Sequence, residues 1–223
     1  MPTLPSRVRP LLDVVVAPPA AFAAVEARPS LGVPLLVWGG SAAALLVLQA
    51  SLLAPALRLD PLFADLPANA APSSWVLGLV MALLAPLGIL LRGVALGSVL
   101  HAVATVAGGR LHWRQCLSLV LHLEAIFLLE SACTVLVLGL DRPSNWEEVR
   151  AVHLRAGLDL FWQPHSAALA AAAATVNVFT LWWGALLACG LARLAALPLR
   201  LSLALVTPLW AISVALRLFL HPR

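Results

Sequence analysis

The chain has no lysine and no tyrosine, and charged residues of any kind are scarce. They make up 11% of its 223 residues, whereas hydrophobic residues make up 62%. A soluble domain carries about 25% charged and about 45–50% apolar residues, so this composition excludes an ordinary soluble protein. Several apolar runs are long enough to cross a membrane, since about 20 helical residues span a hydrocarbon core of ~30 Å. The sequence therefore predicts a polytopic membrane protein.

The residue patterns of most known chemistries are also missing. The three cysteines, Cys116, Cys133 and Cys189, lie in apolar runs, and an odd number without a CxxC pair excludes a disulfide framework and disfavours a metal site. The sequence contains no HExxH, no GxSxG, no phosphate-binding loop and no dinucleotide fingerprint. It also has no basic cluster with interleaved aromatic residues. We therefore predict no enzyme activity, no cofactor and no nucleic-acid partner.

The apolar runs predict an all-α helix bundle in two parts: an N-terminal interfacial segment at 1–32 and a membrane domain at 33–223. Pro18-Pro19 marks the start of the second of two short N-terminal segments, because proline suits the first helical turn. The membrane domain is expected to contain five transmembrane helices, at about 33–54, 75–107, 116–140, 167–192 and 198–219.

Two segments of the predicted membrane domain are not simple spans or short loops. The run at 75–107 is long for one straight crossing; Pro86 allows a single kinked span, and two spans are the alternative. The polar loop at 141–166 contains Ser144 and Glu147 at capping-box spacing, which predicts a short interfacial helix near 145–156.

Arginine placement sets the expected topology. Three arginines precede the first span and one follows it, which favours a cytoplasmic N-terminus and an external C-terminus. The arginines expected on the cytoplasmic side are Arg7, Arg9, Arg28, Arg110, Arg114, Arg193 and Arg200. The expected location is the bacterial inner membrane, because the all-arginine, alanine- and leucine-rich composition is typical of a GC-rich bacterial genome.

Ionisable residues occur inside two neighbouring spans. Arg92 lies 16 residues before the connection 108–115, and Glu130 lies 15 residues after it, so an antiparallel pair of helices places them at matching depth. His101 is likewise level with His122 and Glu124. Charged groups in a span normally face the bundle interior and pair with one another. The spacing predicts two polar layers between these helices.

Two interpretations of these layers stay open. In the first, they are structural and fix the register of the helices. In the second, histidine and carboxylate side chains form a proton or ion route, as they do in transporters. On a helix, His122 and Glu124 point about 200° apart, which counts against a compact relay.

Small and polar residues elsewhere predict helix packing. Gly93 and Gly97 form a GxxxG pattern that would let another helix approach closely. Asn177 and Thr180, inside the predicted fourth span, are expected to form interhelical hydrogen bonds. Trp183 fits the aromatic belt at a membrane interface.

The order of these features resembles bacterial proteins with the Yip domain. The similarity rests on three stretches: RPLLDVVVAPPAAFAAVEARPS at 9–30, VATVAGGRLHWRQCLSLV at 103–120, and NVFTLWWGALLACGLARLAALPLRLSLALV at 177–206. The resemblance implies five helical spans, a cytoplasmic N-terminus and no catalysis. The signature of the eukaryotic branch, which interacts with Ypt/Rab GTPases, is absent, so no GTPase binding is inferred.

Together these patterns predict a non-enzymatic membrane scaffold or adaptor. Its expected partners are the lipid bilayer and either other membrane proteins or further copies of itself. The alternative is a small proton- or ion-coupled transporter or channel component that uses the intramembrane arginine, glutamates and histidines.

Overall fold

The computed structural model describes residues 8–57, 74–141, 169, 173–174 and 176–220. Within these residues the chain forms helices and no strands, in agreement with the predicted all-α class. The seven helices are α1 (Arg9–Val16), α2 (Pro18–Ala27), α3 (Gly32–Leu57), α4 (Ser74–Val106), α5 (Trp113–Asp141), α6 (Val178–Leu194) and α7 (Leu199–Leu220). The predicted capping box at Ser144 and Glu147 and the surface helix near 145–156 lie outside the described residues.

Three of the helices are long and apolar enough to cross a membrane. Their apolar parts are Gly32–Leu53 of α3, Gly78–Val106 of α4 and Trp113–Leu140 of α5. Helices α6 and α7 contribute shorter apolar stretches, Val178–Leu194 and Leu199–Ile212. The three long helices indicate an integral membrane protein, while five crossings stay a prediction.

The long run at 75–107 forms one helix, α4, with Pro86 in its interior. It ends where the sequence places a double glycine. Gly108 takes a φ of +82°, a left-handed conformation that glycine adopts without steric cost. The N–H of Gly109 then donates to the carbonyl of Ala104 at 2.8 Å, which closes the last turn. A single helix is therefore the correct alternative.

The start of α6 differs from the predicted fourth span. α6 begins at Val178, because Asn177 is extended (φ −113°, ψ 171°) and acts as the N-cap. The described residues of the alanine-rich stretch, 169 and 173–174, are helical as well. The N–H of Thr180 donates to the Asn177 side chain at 2.8 Å, and the N–H of Asn177 donates to the Thr180 hydroxyl at 3.1 Å. The hydrogen bonds seen here form a local capping box, and the interhelical bonds that we expected stay a prediction.

Replacing Asn177 with alanine removes this cap, so we expect a loss of about 1–2 kcal/mol in the free energy of unfolding. Asn177→Asp keeps an acceptor for the Thr180 N–H and should retain most of the stability. Equilibrium unfolding in detergent measures both. Equal stability of the alanine variant and the parent would show that the cap contributes nothing.

The chain divides into two compact units, and the long helices contribute to both. The first comprises residues 1–34, 91–127 and 155–223. Its centre is the stretch Cys116–Ile126 of α5, which is buried on all sides. The N-terminal helices belong to its core, because Leu11 of α1 and Phe22 of α2 are 1% and 3% exposed.

The second unit comprises residues 35–90 and 128–154. Helices α3 and α4 approach closely at two of its glycines. A Cβ on Gly39 would lie 3.0 Å from Cβ of Pro86, and one on Gly78 would lie 3.0 Å from Cβ of Ala50. Small residues at these contacts let the two backbones come near each other, as is usual between membrane helices.

In the first unit, Gly190 of α6 has no room for a side chain. A Cβ there would lie 2.6 Å from Cδ1 of Leu119, which is completely buried, and 3.3 Å from Cε1 of Phe22. We expect Gly190→Ala to destabilise the protein by about 1–3 kcal/mol through overpacking. Gly184→Ala is the matched control on the same helix, because nothing lies within 4 Å of its Cβ position.

Thermal unfolding in detergent distinguishes the two glycine variants. Gly184→Ala should be neutral or stabilising, since alanine favours a helix by up to about 1 kcal/mol relative to glycine. Equal melting temperatures for both variants would contradict the close packing of α2, α5 and α6.

Candidate functional site

The polar residues of α5 lie inside the fully buried stretch of the first unit. Ser118, His122 and Glu124 are at most 2% exposed, although the residues between them are apolar. A buried polar group is unfavourable unless it is hydrogen-bonded, and a buried charge must be paired. The partners of these three side chains therefore define the site.

Glu124 pairs with Arg92 of α4. The guanidinium donates through Nε to one carboxylate oxygen at 3.1 Å and through Nη2 to the other. This two-point contact matches the planar fork of arginine to a carboxylate and is the strongest kind of side-chain hydrogen bonding. It places the buried negative charge of Glu124 directly against a positive one.

Two aromatic rings complete the surroundings of this ion pair. The guanidinium carbon of Arg92 lies 4.5 Å from the ring centroid of Phe127, a cation–π contact. Phe127 in turn contacts Trp183 of α6, with ring centroids 5.5 Å apart and the planes inclined at 41°. We call Arg92, Glu124, Phe127 and Trp183 the Arg92 cluster. It links α4, α5 and α6.

The two charges of the cluster differ in exposure. The Glu124 side chain is 3% exposed, whereas 44% of the Arg92 side chain is exposed. Arg92 stands near the middle of α4, and the neighbouring side chains Leu91 and Val99 are also exposed. The cluster thus presents a cationic edge on an apolar helix face.

The salt bridge of Arg92 runs to a residue that the depth argument had placed in the other layer. Counted from the observed helix ends, Arg92 lies 14 residues before Val106, Glu124 lies 11 after Trp113 and Glu130 lies 17 after it. Depth alone therefore does not choose between the two glutamates. Glu124 shares a face of α5 with Leu117 and Leu121, which contact α4, and this face brings its carboxylate to Arg92.

Glu130 belongs to the second unit, where its side chain is partly buried. Its backbone carbonyl accepts a hydrogen bond from Oγ1 of Thr134 at 3.0 Å. The predicted pairing of Glu130 with Arg92 stays a prediction.

His122 bonds within its own helix. Its Nδ1 lies 2.7 Å from the carbonyl oxygen of Ser118, so this nitrogen must donate. The Ser118 hydroxyl donates to the carbonyl of Ser30 at 3.0 Å, and thereby ties α5 to the segment that precedes α3. These contacts are structural, and they point away from the Arg92 cluster.

His101 was expected to be level with His122 and Glu124. It is partly buried, and its carbonyl accepts from Oγ1 of Thr105 at 2.7 Å. Its buried Nδ1 atom has no hydrogen-bond partner among the residues that the structure describes. The second predicted layer therefore does not form through this atom.

Gly93 and Gly97 lie where α4 meets α5. A Cβ on Gly93 would lie 3.1 Å from Cδ2 of Leu121, and one on Gly97 would lie 3.2 Å from both the backbone N and Cα of Leu117. The predicted packing motif thus lies against α5. Because Arg92 directly precedes Gly93, the close approach that the glycines permit also sets the reach of the guanidinium to Glu124.

Phe127 and Trp183 are the members of the cluster that sequence reasoning missed. Trp183 is 7% exposed and packs against Phe127, and its Nε1 has no hydrogen-bond partner within the described part of the chain. The spacing of Glu124 and Phe127, three residues apart, was an available signal, since it places both on one face of a helix.

The side chains of the Arg92 cluster stabilise a pair of charges in an apolar setting. In the described ranges, no three or more His, Cys, Asp or Glu residues are grouped so that they could hold a metal ion. No protein-family model, curated protein or solved structure matches the chain.

Proposed function

We propose that this protein is a non-enzymatic scaffold or adaptor that associates with another membrane protein through the exposed edge of the Arg92 cluster. We propose further that it lies in the bacterial inner membrane, with five crossings and a cytoplasmic N-terminus. One observation carries the association: a mid-helix arginine whose acidic partner is buried while 44% of its own side chain is exposed.

The physical reason is the cost of a charge in hydrocarbon. An arginine at the centre of a span costs about 2.5–3.5 kcal/mol on insertion scales. The bond to Glu124 offsets part of this cost, but an exposed guanidinium edge beside Leu91 and Val99 is still unfavourable against acyl chains. A partner helix that packs on this edge shields it from the acyl chains.

The alternative, a proton- or ion-coupled transporter, has less support from the same geometry. Glu124 accepts hydrogen bonds from Arg92, and His122 donates to the Ser118 carbonyl of its own helix. Two groups that bond in different directions give no continuous line of donors and acceptors for a proton.

The kinship with Yip-domain proteins is part of the proposal. Its support is the set of three stretches named above, of which the first and third contact each other: Phe22 packs against Gly190 in the first unit. The resemblance implies five helical spans, a cytoplasmic N-terminus and no catalysis, and the scaffold role is our own addition.

Photocrosslinking in native membranes tests the association. A photoreactive amino acid replaces Leu91, and in a matched variant it replaces Leu83, another exposed leucine on the same helix. We expect protein adducts from position 91, including self-adducts if the partner is a second copy, and mainly lipid adducts from position 83. Adding Arg92→Gln should abolish the protein adducts from position 91.

Two outcomes would contradict the proposal. One is an adduct pattern at position 91 that Arg92→Gln leaves unchanged. The other is transport: reconstituted protein that moves protons or ions down an imposed gradient, and stops doing so with Glu124→Gln, would favour the transporter instead.

A further inference from the structure

Two turns meet at one end of the first unit. The turn at 107–112 joins α4 to α5, and the turn at 195–198 joins α6 to α7. The N–H of Arg110 donates to the carbonyl of Ala195 at 3.3 Å. A Cβ on Gly109 would lie 3.0 Å from Cβ of Ala195, so the two turns are in direct contact.

Unpaired positive charge collects at this end. The end of α2 is also here, because Nε2 of Gln115 donates to the carbonyl of Glu26 at 3.4 Å. The Glu26 carboxylate is already paired with Arg193 at 3.3 Å. Four further arginines are exposed and have no acidic partner among the described residues: Arg28, Arg110, Arg114 and Arg200.

An apolar groove begins just inside this basic end. It is open, has a volume of about 380 Å³, and lies between α4 and α7, where it is lined by Ala102, Val103, Val106, Ala107 and Leu205. Arg110 follows the groove residue Ala107 by three positions. Arg200 precedes Leu205 by five positions, or ~7.5 Å along the helix. Both arginines therefore lie beyond the groove residues of their own segments, toward the basic end.

We propose that this groove and the two arginines beyond its basic end form a binding site for one anionic phospholipid. The acyl chain occupies the groove, and Arg110 and Arg200 bind the phosphate. Basic sites between membrane helices recognise anionic lipid headgroups in this way. The volume falls within the about 300–1,000 Å³ of ligand clefts. An anionic lipid, unlike a soluble anion, satisfies both the apolar walls and the charge.

This site is separate from the Arg92 cluster, so it can be tested independently of the proposed function. The experiment is native mass spectrometry of the full-length protein in a neutral detergent, titrated with phosphatidylglycerol or with phosphatidylcholine of the same acyl chains. We expect phosphatidylglycerol to bind about tenfold more tightly. Equal affinity for the two lipids would overturn the proposal.

Substitutions distinguish binding of the headgroup by these two arginines from a general effect of positive charge. Arg110→Gln with Arg200→Gln should remove the preference for phosphatidylglycerol, whereas the two lysine substitutions should keep it. Arg142→Gln with Arg150→Gln removes the same number of charges from the polar loop at 141–166, and should leave the preference intact. A preference that survives the first double change, or is lost equally in the second, contradicts the assignment.

A third variant tests the groove itself. Ala102→Trp fills the groove and should weaken binding of both lipids. Unchanged lipid binding by this variant would overturn the groove as the acyl-chain site, and so would equal protection from heat by inorganic phosphate alone. Circular dichroism confirms that each variant is folded before it is compared.

Discussion

Replacing Arg92 with leucine is expected to destabilise the protein by about 3–5 kcal/mol, the usual consequence of removing one partner of a buried ion pair. The reason is the asymmetry of the pair. Glu124 is 3% exposed, so the variant leaves its carboxylate in an apolar setting without its cation. The double change Arg92→Leu with Glu124→Leu removes both charges, and should be more stable than Arg92→Leu alone.

A double-mutant cycle gives the coupling directly. Unfolding of the parent, both single variants and the double variant is followed in mixed micelles with increasing SDS. Additive losses in this cycle, with no recovery in the double variant, would contradict the ion pair between Arg92 and Glu124.

The same cycle with Glu130→Leu is the appropriate comparison. This second cycle tests Glu130, the partner of Arg92 that was predicted from matching depth. Glu130 is on the same helix as Glu124 and carries the same carboxylate. We expect the coupling of Arg92 to Glu124 to be the larger of the two. A larger coupling to Glu130 would restore the pairing predicted from the sequence.

The sequence was sufficient to predict the helices because their signals are local. Apolar length, the prolines at 18–19 and the double glycine at 108–109 each act within one element, and the structure places helix ends at those positions. The start of α6 was missed because the apolar pattern of the alanine-rich stretch runs almost to Asn177. The capping role of this residue depends on a backbone conformation that hydropathy does not report.

The candidate site was predicted in part for a different reason. Counting residues from a turn gives depth, and depth correctly drew attention to Arg92 and to the glutamates of the next helix. It carries no information on rotation about the helix axis. The face of α5 that meets α4 is set by the packing of Leu117 and Leu121 on two glycines, which is a tertiary property. The aromatic neighbours Phe127 and Trp183 were missed for the same reason.

The second large effect is expected at Gly97, where packing and the ion pair depend on each other. A Cβ at this position would lie 3.2 Å from backbone atoms of Leu117, and backbone cannot rotate out of the way as a side-chain end can. A leucine at this position should force α5 away from α4. We expect Gly97→Leu to lower stability by about 3 kcal/mol or somewhat more, at the upper end of overpacking effects.

Gly88 provides the matched control on the same helix. Nothing lies within 4 Å of its Cβ position, so Gly88→Leu should change stability by no more than about 0.5 kcal/mol. The decisive measurement repeats the Arg92 and Glu124 cycle in the Gly97→Leu background. Because the guanidinium reaches Glu124 only when the two helices are close, the coupling should fall to near zero there and persist in the Gly88→Leu background. A coupling that survives Gly97→Leu would mean that the glycine contact and the ion pair are independent, and that the reach of Arg92 is set elsewhere.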